Sequence, residues 1–281
     1  MNIMQYLGRG VYHEDNGTPC QDRVRYRYAD NGNVILAISD GCSSAKYAEK
    51  AAETNIETVV KLFSRMTLKE FLDQNKNAAD IIDPILAAMK KKEPKRFAKD
   101  PTEFSATLLF AVTDGIDILT GHIGDGNILC AKADGTAAYY SEEENAGSAD
   151  RTFFTVNPDA KAHLRLTLLP ADDVTNVMLY SDGPQKMLWY RGDRDIQKAA
   201  LELAGRVHAG EIADCAQLAD ALAEMTADAM YQLMDDWSML VLDTEQKQCG
   251  DMLFDPVSMK QRFMKTFDKK IDAEQEGHEC S

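Results

Sequence analysis

The spacing of apolar and polar positions in the first third of the chain changes from that of strands to that of helices. Residues 3–12 and 23–29 alternate as strands do, and a turn-rich segment containing Asn, Gly and Pro separates them. Residues 33–41, NVILAISDG, are almost continuously apolar, which is typical of a strand buried on both faces. The period then lengthens to that of a helix over residues 43–66 and again over residues 67–92. We therefore expect three strands followed by two helices.

Strand patterns return after a basic segment, KKKEPKRFAKDPTE, whose charges and prolines predict a solvated loop. Residues 104–156 alternate β-type runs with Gly-containing turns, the pattern of an antiparallel meander. Residues 163–169 and 176–183 predict two further strands. Residues 193–230 predict two helices, and residues 235–243 predict a last strand. Strands that are grouped together, with helices in long insertions, favour an α+β sandwich of antiparallel sheets with helices outside.

The end of the chain differs from the rest. We expect one domain over residues 1–243, because no linker rich in Pro, Gly or Ser interrupts its apolar runs. Residues 244–281 are more polar and predict an extension. Within it, residues 253–267 have the pattern of one docked helix, and we expect the remainder to be disordered.

Charge narrows the range of partners. The 281 residues include 46 Asp and Glu but only 31 Lys and Arg, a formal net charge of −15. Such a field repels nucleic acid and anionic lipid, so neither is an expected partner. The N-terminus lacks a signal-peptide pattern and no run has the ~18 apolar residues of a membrane span, so we expect a cytoplasmic protein. The six cysteines form no CxxC pair, which argues against a disulfide framework or a structural zinc site.

Asp-Gly pairs are the most informative motif in the sequence. Asp114-Gly115 and Asp134-Gly135 fit ordinary hairpin turns. Asp40 and Asp182 differ, because each ends a nearly continuous apolar run in Ser-Asp-Gly. A strand of this kind places a carboxylate at the rim of a sheet, and glycine lets the backbone carbonyl approach a ligand.

Two further acidic positions have similar surroundings. Asp125 lies between glycines in GHIGDGNIL, and Asp235 and Asp236 stand just before the apolar part of the last predicted strand. Several carboxylates that converge at one rim repel one another unless cations lie between them. Oxygen ligands alone suit Mg²⁺ or Mn²⁺ better than Zn²⁺. Such cations would also be required before an anionic ligand could approach this acidic chain.

The order of these motifs resembles that of the metal-dependent protein phosphatase (type 2C) family. Six motifs carry the resemblance: Cys-Gln21-Asp22, Ser-Asp40-Gly41, Phe-Ser-Ala-Thr107, Gly-Asp125-Gly-Asn, Ser-Asp182-Gly183 and Asp235-Asp-x-Ser238. The opening, in which Gly-x-x-His precedes Pro-Cys-Gln-Asp, is similar to that of bacterial members. Each motif alone is weak, but six in this order over residues 8–242 form a strong signal.

The resemblance implies a four-layer α/β/β/α sandwich with two metal ions, Mn²⁺ or Mg²⁺, at one end. By this resemblance Asp40 would bridge both ions and the carbonyl oxygen of Gly41 would bind one of them. Asp182 and Asp235 would hold the other. Asp125 matches the aspartate that bacterial members use, together with the Asp182 position, for a third and weaker ion.

The implied activity is hydrolysis of phosphoserine or phosphothreonine in proteins by a metal-activated water. Gln21 stands where many relatives have a glutamate that contacts a metal-bound water, and Asp22 would support that shell. No covalent intermediate is needed, so Cys42 is not expected to act as a nucleophile. The implied partner is a phosphorylated protein, such as a serine/threonine kinase or its targets, and we expect the chain to be a monomer.

The sequence also departs from the family. Gly17 stands where eukaryotic members have an arginine that binds the substrate phosphate, and Cys42 stands where they have a histidine assigned as general acid. His13 and Arg9 are candidate replacements for the phosphate ligand, with ordinary strand-surface side chains as the alternative. His122 has the position of a hydrogen-bonded sheet residue. For His163 and His208 the sequence predicts solvated positions.

Two other functions remain open from the sequence. A pseudophosphatase would bind a phosphorylated or kinase partner without turnover, and the missing arginine and histidine motivate this alternative. The retained strand-end aspartates argue against it, because a non-catalytic module has no physical reason to keep carboxylates that repel one another. The second alternative is a structural scaffold with fortuitous Asp-Gly turns.

Overall fold

The computed structural model describes residues 1–144, 152–189, 196–226 and 235–245. These residues form ten strands in two five-stranded antiparallel sheets. The first sheet has the order β1-β10-β9-β6-β7, with bounds β1 (Asn2–Gly8), β6 (Asn127–Lys132), β7 (Ala137–Ser141), β9 (Val174–Tyr180) and β10 (Trp237–Asp243). The second has the order β2-β3-β4-β5-β8, with bounds β2 (Arg23–Tyr28), β3 (Val34–Ser39), β4 (Leu108–Thr113), β5 (Asp117–Ile123) and β8 (Arg165–Pro170).

Helices occupy the connections between strands. In the described residues they are α1 (Val11–Asp15), α2 (Ala48–Phe63), α3 (Leu68–Asp73), α4 (Ala79–Lys92), α5 (Pro94–Lys99), α6 (Ala160–His163), α7 (Asp182–Trp189), α8 (Ile196–His208) and α9 (Cys215–Thr226), with a short 3-10 helix at Pro101–Phe104. The helices α2 to α6 belong to the layer against the second sheet, and α8 and α9 cover the first sheet. This four-layer arrangement confirms the expected α+β sandwich.

Burial of both faces explains the continuous apolar run of β3. Leu36 and Ile38 point into the core between the two sheets, where they pack with residues such as Leu240 of β10. Ile35 and Ala37 point the other way, against the helical layer. A strand covered on both sides therefore needs apolar residues at every position, and all six residues of β3 are buried.

The first expected strand is too long. β1 ends at Gly8, and residues 9–12 turn away from the sheet into α1. The N–H of Gly10 donates to the carboxylate of Asp236 instead of continuing the strand ladder. A side-chain partner far along the chain, which no local pattern reveals, ends the strand.

The helical layer also differs from the expectation. The predicted helix over residues 43–66 begins only at Ala48, because the preceding turn donates backbone hydrogen bonds from Cys42 and Tyr47 to the 103–105 segment. The predicted helix over residues 67–92 is two helices. Asn75, with φ of 51°, lies in the break between them.

The basic segment expected to be a solvated loop is largely helical. It contains the end of α4, all of α5 and most of the 3-10 helix, whose last residue, Phe104, follows it directly. Its lysines are exposed, as expected, but Phe97 and Phe104 pack edge to face with ring centroids 5.5 Å apart. Through these aromatic side chains the segment packs against the apolar core of the helical layer.

The expected meander is divided between the two sheets. β4 and β5 form a hairpin in the second sheet, and β6 and β7 form one in the first. The chain crosses from one sheet to the other through residues 124–126. The extension expected beyond residue 243 cannot be compared, since residues 246–281 lie outside the described residues.

Candidate active site

Four aspartates meet at one end of the sandwich. Asp40 follows β3 and Asp182 follows β9. Asp125 lies in the crossing between β5 and β6, and Asp235 lies two residues before the start of β10. All four line one cavity of about 510 Å³. The structure therefore brings together the carboxylates that the sequence singled out.

Strand register explains the convergence in the first sheet. Tyr180, the last residue of β9, pairs with Asn127, the first residue of β6. Tyr180 also pairs with Met239, near the start of β10. Because the pairing is antiparallel, the residue that follows β9 and the residues that precede β6 and β10 reach the same edge of the sheet.

The backbone around Asp40 is fixed by Thr107. The Asp40 N–H donates to Thr107 Oγ1 at 3.0 Å, and the Thr107 N–H donates to the Asp40 carbonyl at 2.8 Å. Asn55 of α2 donates to the Thr107 carbonyl at 3.0 Å. These bonds explain why a threonine is needed in the Phe-Ser-Ala-Thr motif: it ties the Asp40 strand end to the neighbouring strand.

Two glycines of the Asp-Gly motifs are required by packing. A Cβ added to Gly41 would lie 2.9 Å from Cβ of Ala48. A Cβ added to Gly183 would lie 2.2 Å from the carbonyl oxygen of Asp236. Both glycines thus allow a helix layer or strand end to approach closely, a reason beyond the access for a ligand that the sequence suggests.

Asp125 belongs to the crossing between sheets and not to a hairpin turn. Gly124 has φ of +126°, and a Cβ there would lie 2.5 Å from Cβ of Thr107. A Cβ on Gly126 would lie 2.5 Å from the carbonyl oxygen of Tyr180. Glycines on both sides let the chain pass tightly between the sheets and present Asp125 to the cavity.

Burial and neighbouring carboxylates raise the pKa of Asp40 and Asp22. Burial raises the pKa of Asp40 well above its ordinary value, and the nearby Asp22 and Asp182 carboxylates raise it further. Burial also raises the pKa of Asp22, and the Asp236 carboxylate adds to this effect. Crowded negative charge of this kind is costly unless protons or cations compensate it.

Gln21 and Asp22 lie beside the cavity and are not among its lining residues. Asp22 is buried and accepts a 2.6 Å hydrogen bond from Ser238 Oγ. Gln21 is buried and its backbone N–H donates to Asp236. Both therefore support the wall of the cavity from behind, and the supporting position expected for Asp22 is compatible with this placement.

The structure does not bring either candidate phosphate ligand to the cavity. His13 is 4% exposed, and its Nδ1 lies 2.8 Å from Asp236 Oδ1. This close contact does not have the geometry of a hydrogen bond. The guanidinium of Arg9 donates to the carbonyl of His13 at 2.7 Å. The expectation that His13 or Arg9 faces the substrate phosphate is therefore not supported by their positions.

Neither His122 nor His163 is among the residues that line the cavity. His122 is fully buried in the second sheet, where its Nδ1 lies 2.6 Å from Ser141 Oγ, so its expected place as a hydrogen-bonded sheet residue is confirmed. Burial and the charge of Arg165 lower the pKa of His122 to about 3. His163 was expected to be solvated, but its ring stacks on Phe153 with centroids 3.5 Å apart.

The turns expected at two Asp-Gly pairs are present. The Asp134 side chain accepts the Thr136 N–H, and Gly135 has φ of 79°. Asp114 accepts the N–H of Ile116 in the same manner. Neither aspartate lines the cavity.

The remaining wall of the cavity is mostly small or polar. It consists of Gly41, Cys42, Ser43, Ser44, Thr107, Thr152, Phe154 and Asn157. Sequence reasoning missed Thr152, Phe154 and Asn157, which come from an irregular segment before α6 with no recognisable motif. No lysine, arginine or histidine is among the described lining residues.

The carboxylate oxygens in this cavity are the type of ligand that hard divalent cations prefer. Four carboxylates face one space, and burial together with the charge of neighbouring carboxylates raises the pKa of Asp40, as expected for ligands that await a positive ion. Across the described ranges, no three Asp, Glu, His or Cys side chains are grouped closely enough to enclose an ion as they stand. Cation binding would therefore draw these side chains together.

The chain belongs to the protein phosphatase 2C family. Residues 9–223 match the family model described as "Protein phosphatase 2C". The match includes Asp40, Asp125 and Asp182. No curated protein sequence is significantly similar to the chain.

Solved structures of bacterial phosphatases share the fold. The catalytic domain of the serine/threonine protein phosphatase PstP, in complex with 2 manganese ions, has a TM-score of 0.61 at 16% identity, covering 86% of this chain and 97% of that one. The serine/threonine phosphatase Stp1 from Staphylococcus aureus has a TM-score of 0.57 at 13% identity, and the match covers 87% of this chain and 95% of that one. RsbX in complex with magnesium has a TM-score of 0.53 at 13% identity, and the match covers 85% of this chain and 92% of that one.

Within the described part of the chain, no helix combines the length and the apolar character needed to span a membrane.

Proposed function

We propose that the chain is a metal-dependent phosphatase that hydrolyses phosphoserine or phosphothreonine in other proteins. The observation that carries the proposal is the cavity at which Asp40, Asp125, Asp182 and Asp235 converge from separate strand ends. Membership of the protein phosphatase 2C family supports it. The manganese and magnesium complexes of the structurally similar PstP domain and RsbX support the choice of ion.

Residues at the strand ends would hold the ions. Asp40 and the carbonyl oxygen of Gly41, with Asp182 and Asp235, would hold two central Mn²⁺ or Mg²⁺ ions. Asp125, with Asp182, would hold a third and weaker one. When bound, such ions lower the pKa of a coordinated water and neutralise phosphoryl oxygens.

The protein's own residues hold the metal-binding carboxylates in position and supply hydrogen-bond donors to the substrate. Hydrogen bonds to Thr107 hold the Asp40 backbone, and Ser238 orients the supporting carboxylate of Asp22. Hydroxyl groups of Ser43 and Ser44 line the cavity, where they can donate to phosphoryl oxygens. Preorganised donors of this kind lower the cost of reorganisation during the reaction.

No side chain is assigned as a covalent nucleophile. Cys42 lines the cavity, and its Sγ lies 3.2 Å from Ser44 Oγ. No histidine or lysine among the described lining residues stands ready to remove its proton. A cavity wall without basic side chains also leaves phosphate binding dependent on cations, which fits a metal-dependent reaction.

The second candidate function is a pseudophosphatase that binds a phosphorylated or kinase partner without turnover. The observation that favours it is the same lack of basic side chains in the described cavity wall, with Gly17 and Cys42 at the positions of the family's arginine and histidine. The partner in either case would be a phosphorylated protein, such as a serine/threonine kinase or its target. A cytoplasmic monomer stays a prediction from the sequence.

Hydrolysis of a phosphothreonine peptide and of p-nitrophenyl phosphate separates the two functions. We expect turnover with Mn²⁺ or Mg²⁺ and none in excess EDTA. Undiminished turnover after verified metal removal would refute the metal-dependent mechanism. Binding of the peptide with no phosphate release at any metal concentration would favour the pseudophosphatase.

A further inference from the structure

Asp236 is a buried carboxylate with three partners in one short segment. It is 2% exposed. Its Oδ1 accepts the Gly10 N–H at 2.8 Å, and its Oδ2 accepts the Gln21 N–H at 2.5 Å. His13 Nδ1 lies 2.8 Å from Oδ1. One side chain immediately before β10 therefore accepts hydrogen bonds from both ends of the segment 10–21 and contacts His13 within it.

These contacts are needed because a buried charge without partners is expensive. Transfer of a carboxylate into a protein interior costs several kcal/mol unless hydrogen bonds and an opposite charge compensate it. Two backbone N–H groups donate hydrogen bonds to the Asp236 carboxylate here, and the buried His13 imidazole packs beside it. An apolar residue at position 236 would leave both N–H groups without their acceptor.

The backbone of Asp236 makes a second set of contacts. Its carbonyl oxygen is so close to Gly183 that a Cβ on that glycine would lie 2.2 Å away. Its N–H donates to the carboxylate of the preceding Asp235 at 3.0 Å. Asp236 thus touches the start of α7, beside Asp182, and orients the Asp235 side chain.

Asp236 also sets the position of the Gln21-Asp22 pair. It fixes the backbone N–H of Gln21, and Asp22 is then bonded to Ser238, two residues further along β10. Three separate parts of the candidate metal site, carrying Asp22, Asp182 and Asp235, therefore meet at one residue that does not itself line the cavity.

We propose that Asp236, with His13 as its buried counterpart, is a positioning pair that holds the segment 10–21 and the carboxylates of Asp22, Asp182 and Asp235 in place for cation binding. This inference rests on the proposed function. It gives His13 a positioning role in place of phosphate binding. Partners behind metal ligands typically change metal affinity by about 10- to 100-fold when they are removed.

The first test measures the pair without metal or substrate. Hydrogen exchange of the metal-free protein should show protected amides at Gly10 and Gln21, and Asp236→Leu should lose that protection while the sheets keep theirs. Asp236→Asn keeps one acceptor oxygen, so the Gly10 and Gln21 amides should lose only part of their protection in this variant. Unchanged exchange over residues 10–21 in both variants would refute the pair.

The second test measures Mn²⁺ affinity by electron paramagnetic resonance of the free ion, at a temperature below every variant's melting transition. We expect about 10-fold weaker binding in Asp236→Leu and His13→Leu, with smaller losses in Asp236→Asn and His13→Asn. High Mn²⁺ should restore turnover. If Asp236→Leu does not fold, the two asparagine variants carry the test.

Asn33→Leu is the matched control. Asn33 is also buried and holds a distant segment, since its side chain donates to the carbonyls of Phe63 and Met66. It should lower the melting temperature without weakening Mn²⁺ binding. Equal Mn²⁺ affinity in the wild type and in all four variants at positions 13 and 236 would show that Asp236 and His13 do not position the metal ligands. A wild-type protein that binds Mn²⁺ but releases no phosphate would refute the proposed function. The comparison of Mn²⁺ affinities among the variants would still test the positioning pair in that case.

Discussion

At the scale of single residues, the cavity depends on placing like charges together. Asp40, Asp125 and Asp182 approach one another from different strands, and burial raises the pKa of Asp40 well above its ordinary value. Close carboxylates lower stability in the metal-free protein and raise affinity for cations by the same repulsion. Stability and function are therefore in opposition at this site.

Replacement of one central carboxylate should reveal this opposition. We predict that Asp40→Asn lowers phosphopeptide turnover at least about 100-fold, while the metal-free variant melts at the same or a higher temperature, because the amide removes one repelling charge. Turnover and thermal melts of the same preparations test both parts. Asp134→Asn, in an exposed turn, is the control and should retain activity. A clearly less stable Asp40→Asn would instead indicate a structural role.

Asp125 provides a separate test, because it belongs to the sheet crossing. We predict that Asp125→Ala keeps most of its Mn²⁺ binding but loses most phosphatase activity, because under the proposed function Asp125 would help to hold a third, weaker ion whose charge would make a nearby water more acidic. The measurement is metal stoichiometry and turnover over a Mn²⁺ titration. If turnover equals that of wild type at every Mn²⁺ concentration, Asp125 has no catalytic importance and the general acid is another group.

His122 predicts a pH dependence of stability that is independent of the metal site. Its pKa in the folded protein is lowered to about 3, so the unfolded chain binds a proton that the folded chain does not between pH ~6.5 and ~3. Stability from this group is complete above pH ~6.5 and is lost as the pH falls, with a slope of up to about 1.4 kcal/mol per pH unit. His122→Gln should flatten this slope in denaturant titrations. His208→Gln, at a partly exposed position, should leave the slope as in wild type.

At the scale of elements, the sequence predicts where the buried strands end better than it predicts which distant segments contact one another. β3 and β9 are buried on both faces, so their apolar runs are continuous and the aspartate that ends each run is easy to recognise. The crossing at residues 124–126 was not predicted, because Gly-Asp-Gly has the composition of a hairpin turn. The burial of His13 was not predicted either, because its partner lies more than 200 residues away.

The crossing itself can be tested with two glycines. We predict that Gly126→Ala destabilises the protein by about 1–3 kcal/mol, because its Cβ would lie 2.5 Å from the Tyr180 carbonyl oxygen. Gly205→Ala is the matched control within α8, where no atom lies within 4 Å of the added Cβ. It should stabilise the protein by about 0.5–1 kcal/mol. Urea unfolding distinguishes these signs, and a neutral Gly126→Ala would contradict the tight passage between the sheets.

At the scale of the whole molecule, two electrostatic effects overlap. The net charge of −15 destabilises the folded state by general repulsion, which any salt screens. The cavity adds a local excess of negative charge, which only an ion bound there can compensate. Added Mn²⁺ would relieve both, so a stabilising effect of Mn²⁺ alone does not identify a site.

A comparison at equal ionic strength separates the two effects. We predict that Mn²⁺ raises the melting temperature beyond NaCl of the same ionic strength, because an ion at 100 times its Kd stabilises the folded state by about 2.7 kcal/mol. EDTA should reverse the gain. Asp40→Asn should lose most of the Mn²⁺-specific part but keep the response to NaCl, since its net charge changes by only one unit. Equal shifts from the two salts in wild type would mean that Mn²⁺ acts only by screening, and the carboxylates at the strand ends would then not form a metal site.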